Sequence, residues 1–118
     1  MIIADDDPAV LHALRFAFEI EGFDVMSFPD AASVLRSPPL PKCGCLVLDY
    51  KMPDMDGLTL LAALRAAGVE LPAILMTSGP TRALKARAAA AHVPIVEKPL
   101  LGDELTRRVR GLTGAQVC

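Results

Sequence analysis

Two periodicities alternate along the chain, and that alternation constrains the fold more than any other feature. Ile2-Ile3-Ala4 is a short apolar run. Pro8 then opens a stretch in which Val10, Leu11, Leu14, Ala17 and Phe18 recur at helical spacing until Gly22. Phe23 and Val25 alternate with polar neighbours as a half-exposed strand does, and Asp30 caps a short helix carrying Ala31, Val34 and Leu35. The proline-rich segment Ser37 to Pro41 ends that helix. Cys45 to Leu48 reads as a third strand, Leu58 to Ala67 as a helix stopped by Gly68, and Ala73 to Met76 as a fourth strand. Thr81 caps an alanine-rich helix over Arg82 to Ala91, Val93 to Val96 is a fifth strand, and a last helix runs from Leu101 to Leu112.

Five strands alternating with five helices predict an α/β protein whose parallel sheet is covered on both faces. Short loops and right-handed crossovers leave few topologies. One is a flavodoxin-like (βα)5 three-layer sandwich with a five-stranded parallel sheet of order 2-1-3-4-5. At 118 residues the chain fits one domain and is too short for two. Residues 1–113 are expected to form it, with 114–118 as a C-terminal tail or the start of a linker. Aromatic residues make up only 4% of the chain, so the core has to be built from aliphatic side chains and alanine.

Charge and hydropathy exclude several function classes. A formal net charge of -2, from 12 basic and 14 acidic residues, gives no general reason to bind nucleic acid. No apolar run approaches the roughly 20 residues needed to span a bilayer, and Met1-Ile2-Ile3 meets an acidic cluster at once, unlike a signal peptide. Three cysteines without a framework spacing suggest a reducing compartment, so a cytoplasmic protein is expected. Cys43 and Cys45 then read as strand-edge thiols; with His12 and His92 they have the wrong spacing for a zinc site.

The strand ends carry the chemistry. In a sheet of this kind Asp5-Asp6, Asp49, Thr77-Ser78 and Glu97-Lys98-Pro99 share one rim, where ligands bind. Asp7 before Pro8 reads as a helix cap, and Asp54 and Asp56 before Gly57 as turn formers or caps. Three close carboxylates repel unless a cation intervenes. A hard divalent ion with oxygen ligands resolves the repulsion, and Mg²⁺ keeps water positions open for a phosphate. Such an ion, a lysine and a hydroxyl are what a loose phosphoryl-transfer transition state needs, and a carboxylate nucleophile would form an acyl phosphate.

In the run Asp49-Tyr-Lys-Met-Pro-Asp-Met-Asp-Gly57, with the other strand ends, the chain resembles the receiver domains of two-component response regulators, and most of all their FixJ-type branch. The resemblance covers essentially the whole chain and implies the 2-1-3-4-5 fold. It implies Asp49 as phosphoacceptor, assisted by Thr77 and Lys98, with Mg²⁺ (or Mn²⁺) held by Asp6, Asp49 and the backbone carbonyl of Lys51, and Asp5 acting through water. It implies a signalling domain, not an enzyme, that assists its own phosphotransfer and autodephosphorylation. A histidine kinase or phosphotransfer domain would be the donor. The output surface would be the fourth helix, fifth strand and fifth helix, which could pair two copies, and the output would be control of transcription without nucleic-acid contact by this domain and without a membrane. A cis Lys98–Pro99 bond is also expected.

Two departures stand out. The family's aromatic residue three positions before the lysine is Ile95 here, so Thr77 and Ile95 form an altered switch pair. The usual small pair near the end of the fourth helix is Ala91-His92, and the segment from Thr77 to Lys98 is one residue short, which predicts a locally unusual helix or loop. Ile95 supports an alternative, a pseudo-receiver or binding module with an altered switch. An aspartyl-phosphate phosphohydrolase is the remaining reading, but the second acid such enzymes place two residues after the nucleophile is Lys51 here.

Overall fold

The computed structural model describes residues 1–37, 39–98 and 104–113. Its elements alternate as β1 (Ile2–Ala4), α1 (Pro8–Ile20), β2 (Met26–Phe28), α2 (Ala31–Arg36), β3 (Leu46–Asp49), α3 (Gly57–Ala66), β4 (Ala73–Thr77), α4 (Arg82–Ala90), β5 (Ile95–Glu97) and α5 (Glu104–Thr113). All five strands are parallel, in the order β2-β1-β3-β4-β5. This is the flavodoxin-like three-layer sandwich expected above.

The period of two along the strands sorts side chains into two cores. Ile2, Ala4, Leu46, Leu48, Ala73 and Leu75 pack on one face with residues of α2, α3 and α4, among them Val34, Leu60 and Leu84. Ile3, Val47, Ile74, Met76 and Val96 pack on the other with Leu14 and Phe18 of α1 and Leu105 and Val109 of α5. Burial on both faces is why β1, β3 and β4 read as unbroken apolar runs.

The edges are where sequence and structure part. Phe23 and Val25 are not strand residues. Phe23 closes α1 instead: its N–H reaches the Phe18 carbonyl at 3.0 Å and its ring meets the Phe18 ring edge-on at 5.8 Å. The strand starts three residues later, where Met26 pairs with Ile2. Ala17, expected on the buried face of α1, is exposed, as is Leu35 on α2. Cys43, expected to be a thiol, is half-buried in the loop before β3 and is disulfide-bonded, whereas Cys45 is a free thiol sealed in the core, pushed up to about 12 by burial. The Lys98–Pro99 bond, the start of the last helix at Leu101 and the 114–118 tail lie outside the described residues.

Helices α1, α3 and α4 all end in the same way. The second residue past the last turn sends its N–H back five residues: Phe23 to Phe18, Val69 to Leu64 and Val93 to Ala88. The residue before it takes a left-handed backbone: Gly22 at φ +93, Gly68 at φ +90, and His92 at φ +58. The irregularity expected near Ala91-His92 is therefore confined to this one residue, and α4 itself is regular. It also moves the fifth strand, because Val93 belongs to the cap and pairing begins at Ile95 opposite Leu75. A β-carbon in that region is disfavoured by about 1–2 kcal/mol. His92→Gly is expected to raise stability by about 1 kcal/mol, read as a higher urea midpoint at unchanged slope. An equal or lower midpoint would mean that the exposed imidazole makes compensating contacts.

Candidate functional site

The acidic run at the end of β1 divides into three roles within three residues. Asp5 continues the strand, its N–H on the Phe28 carbonyl at 3.2 Å, and is fully buried. Its Oδ1 accepts the Asp7 N–H at 2.9 Å, and its Oδ2 faces the Lys98 ammonium at 2.8 Å. Asp6 is exposed. Asp7 turns away and caps α1, accepting from Ala9 N–H at 2.9 Å with Pro8 at the first helical position.

Asp49 ends β3 and is 5% exposed. Lys98, following β5, lies over both neighbours: its Nζ is 3.3 Å from Asp49 Oδ1 as well as 2.8 Å from Asp5 Oδ2. Carboxylate oxygens of Asp5, Asp6 and Asp49 all lie within 4.8 Å of one another. Burial first, then the Asp5 charge and more weakly Asp6, push the Asp49 carboxyl up to about 6 against the opposing pull of Lys98. For Lys98, burial works against the charged form, but the hydrogen bond to Asp5 and the charge of Asp49 outweigh it and raise its pKa. At neutral pH the pocket thus holds an ionised carboxylate beside a firmly protonated amine.

Thr77, the last residue of β4, is buried one position beyond the Met76 that pairs with Asp49, and its carbonyl accepts the Lys98 N–H at 2.8 Å. Ser78 beside it is exposed. Lys51 is exposed in the β3–α3 loop, two residues past Asp49. Ile95 is half-buried on β5 and packs against the core that contains Leu75 and Leu84. Asp5, Asp6, Asp49 and Lys98 are therefore gathered into direct reach, with Thr77 in the adjacent strand.

Three supporting residues were not legible as such. A β-carbon on Gly57 would lie 2.5 Å from the Asp49 carbonyl oxygen and 2.8 Å from Leu75 Cδ1, so only glycine lets α3 begin directly behind the phosphoacceptor candidate. The Asp56-Gly57 pair at a helix start was the available signal, since Asp56 caps α3 by accepting from Thr59 N–H at 2.7 Å. Arg87 of α4 donates to the Tyr50 hydroxyl at 3.3 Å and pairs with Asp56 at 3.7 Å, tying α4 to the β3–α3 loop. Asp54 caps α2, not its own helix, and the Ala32 N–H on it holds its carboxyl below the usual range. Contacts across such sequence separations leave no local pattern.

A model of the response regulator receiver domain matches residues 1–110. The chain belongs to that family. The receiver is 34% identical over 108 residues to the transcriptional regulatory protein FixJ of Bradyrhizobium diazoefficiens, covering 91% of this chain and 53% of that protein. It is 36% identical over 109 residues to the response regulator protein TodT of Pseudomonas putida, covering 92% of this chain and 48% of that one. Among solved structures, the response regulator StyR superposes with a TM-score of 0.86 at 29% identity, over 96% of this receiver and 58% of StyR. The receiver spans about half the length of the curated relatives it matches.

Two outcomes follow from the packing and charge of this pocket. Gly57→Ala is expected to destabilise the receiver by about 1–3 kcal/mol in urea, because backbone has to move. Burial and the neighbouring acids raise the Asp49 carboxyl from its ordinary value of 3.8 to about 6 in the folded state. The folded protein therefore binds a proton that the unfolded chain lacks between those values, and the stability from this group is lost as pH rises through about 6. Without divalent cations, Asp49→Asn should be more stable than wild type at pH 7, by on the order of 1 kcal/mol, and should lack the wild-type gain on acidification from pH 7 to pH 5. Parallel pH profiles for the two proteins would contradict the charge balance described here.

Proposed function

We propose that this receiver accepts a phosphoryl group on Asp49 and relays that change to a protein–protein surface. The observation that carries the reading is the buried Asp49 carboxylate, held 3.3 Å from the Lys98 ammonium and within 4.8 Å of the Asp5 and Asp6 oxygens. An oxygen-only donor set of this charge suits Mg²⁺ or Mn²⁺. Asp6, Asp49 and the Lys51 carbonyl would hold the ion, and Asp5, whose Oδ2 is taken by Lys98, would act through water. A bound divalent cation neutralises charge on the phosphoryl oxygens.

The chain's own groups supply the rest. An Asp49 carboxylate oxygen attacks phosphorus in line, the bond from phosphorus to the donor's imidazole nitrogen breaks, and its electron pair leaves with that nitrogen. Lys98, kept protonated by two carboxylates, stays a fixed positive charge beside the acyl phosphate. Thr77 offers a hydroxyl to the phosphoryl group from the next strand, and its movement with Ile95 is the proposed switch. The donor is a histidine kinase or phosphotransfer domain, and the output, carried by the α4-β5-α5 face, is a protein contact that includes pairing of two copies. Resemblance to FixJ and TodT supports transcription control through a separate output region and a cytoplasmic setting. The receiver itself takes no nucleic acid in this reading and is not an enzyme; residues 1–113 form it, with 114–118 as a C-terminal tail or the start of a linker. No helix among the described residues is long and apolar enough to cross a membrane.

A second reading, a receiver fold with an altered switch, is favoured by Ile95 alone, because a half-buried isoleucine has no ring to swing toward a displaced hydroxyl. Acetyl phosphate with Mg²⁺ is expected to add one acid-labile phosphoryl group to the wild type and none to Asp49→Asn, as read by intact mass. Labelling of Asp49→Asn would place the acceptor elsewhere. Beryllofluoride should perturb β5 amides if the switch works, and pocket amides only if the second reading holds.

A further inference from the structure

Helix α2 has six residues and two carboxylates at its start. Asp30 is its own cap, accepting from Ser33 N–H at 2.7 Å and from the Ser33 hydroxyl at 2.6 Å. The second is Asp54, from the β3–α3 loop. It accepts from Ala32 N–H at 2.8 Å and Ala31 N–H at 3.3 Å, and from Met55 N–H at 3.1 Å within its own loop. So short a helix already has its cap in Asp30. The contact made by Asp54 joins two parts of the chain 22 and 23 residues apart, and its effect falls on the loop.

That loop runs from Tyr50 to Asp56 and is closed at its stem. Tyr50 N–H reaches the Met76 carbonyl at 2.8 Å, and Gly57 N–H reaches the Tyr50 carbonyl at 2.9 Å. Between stem and tip lies Lys51, exposed and three residues from Asp54. On the other side of the contact, α2 follows directly from β2, whose Phe28 carbonyl receives the Asp5 N–H at 3.2 Å. Asp54 therefore links the loop carrying Lys51 to the strand ends carrying Asp5 and Asp6. Its α2 partners follow β2 at one edge of the sheet, whereas Lys98 follows β5 at the other.

We infer that Asp54 is a positioning residue for the divalent cation: by clamping the β3–α3 loop to the first turn of α2, it fixes the Lys51 carbonyl at a set distance from the Asp6 and Asp49 carboxylates. The inference rests on the reading of those three groups as cation ligands. It assigns Asp54 an effect on cation affinity and none on the phosphoryl step itself. Partners that orient metal ligands commonly change affinity by tenfold or more when removed.

The test is a Mg²⁺ titration of the full chain, followed by the amide chemical shifts of Asp6 and Asp49. Asp54→Ala is expected to raise the half-saturating Mg²⁺ concentration about tenfold, and Asp54→Asn, which keeps one acceptor oxygen, by less. Phosphorylation by acetyl phosphate at saturating Mg²⁺ should stay within about twofold of wild type, since no group on the reacting atoms is lost. Asp30→Ala is the control, because it weakens the same helix without releasing the loop. It should lower the melting temperature yet leave the Mg²⁺ midpoint in place. A wild-type midpoint in Asp54→Ala, or an equal rise in Asp30→Ala, overturns the inference while leaving the cation reading standing. Wild-type Asp6 and Asp49 amides that ignore Mg²⁺ overturn the cation reading itself.

Discussion

One ammonium group holds together a cluster of charge that the fold would otherwise repel. Asp5 is fully buried and Asp49 nearly so, at the ends of adjacent central strands, and Lys98 reaches both. Two buried carboxylates with no compensating cation would be strongly unfavourable, and one of them would remain protonated at neutral pH. With Lys98 in place Asp49 is raised only to about 6, so its carboxylate is charged at neutral pH and still poorly solvated. Asp6 adds a further carboxylate within 4.8 Å, which leaves the pocket with an excess of negative charge.

The rest of the molecule sets this geometry by packing. Strands buried on both faces bring Asp5 and Asp49 to one level, and the register that pairs Ala4 with Leu48 allows no slip without exchanging the two cores. Gly57 then admits the start of α3 against the Asp49 carbonyl, Arg87 braces the following loop from α4, and Asp54 within that loop ties it to α2. The acidic residue is therefore supported on three sides by elements that carry none of the chemistry.

Most of the fold could be read from the sequence because burial on two faces leaves unbroken apolar runs. The central strands were placed to within a residue, and the rim acids, Thr77 and Lys98 followed from the strand ends. The misses lie at the edges. Phe23 and Val93 are apolar enough for strands, but they finish helices instead, through backbone bonds to residues five back that no hydropathy pattern records, and Val25 lies in the connection to β2. Asp54 read as a local turn former because its partners are brought near only by the fold. Asp5 and Asp7, alike in sequence, separate because strand extension buries one and Pro8 starts a helix after the other.

The Asp5–Lys98 contact spans 93 residues, nearly the whole described chain. During synthesis the N-terminal acids leave the ribosome long before the lysine that partners them, by about 5–20 s at ordinary elongation rates. Until β5 docks, the rim is a set of carboxylates without its fixed cation. The last strand among the described residues is also the one that brings Lys98 to the pocket, so a nascent or truncated chain can carry Asp5 and Asp49 and still lack the ammonium between them. The charge balance of the rim is in this sense a readout of completed folding.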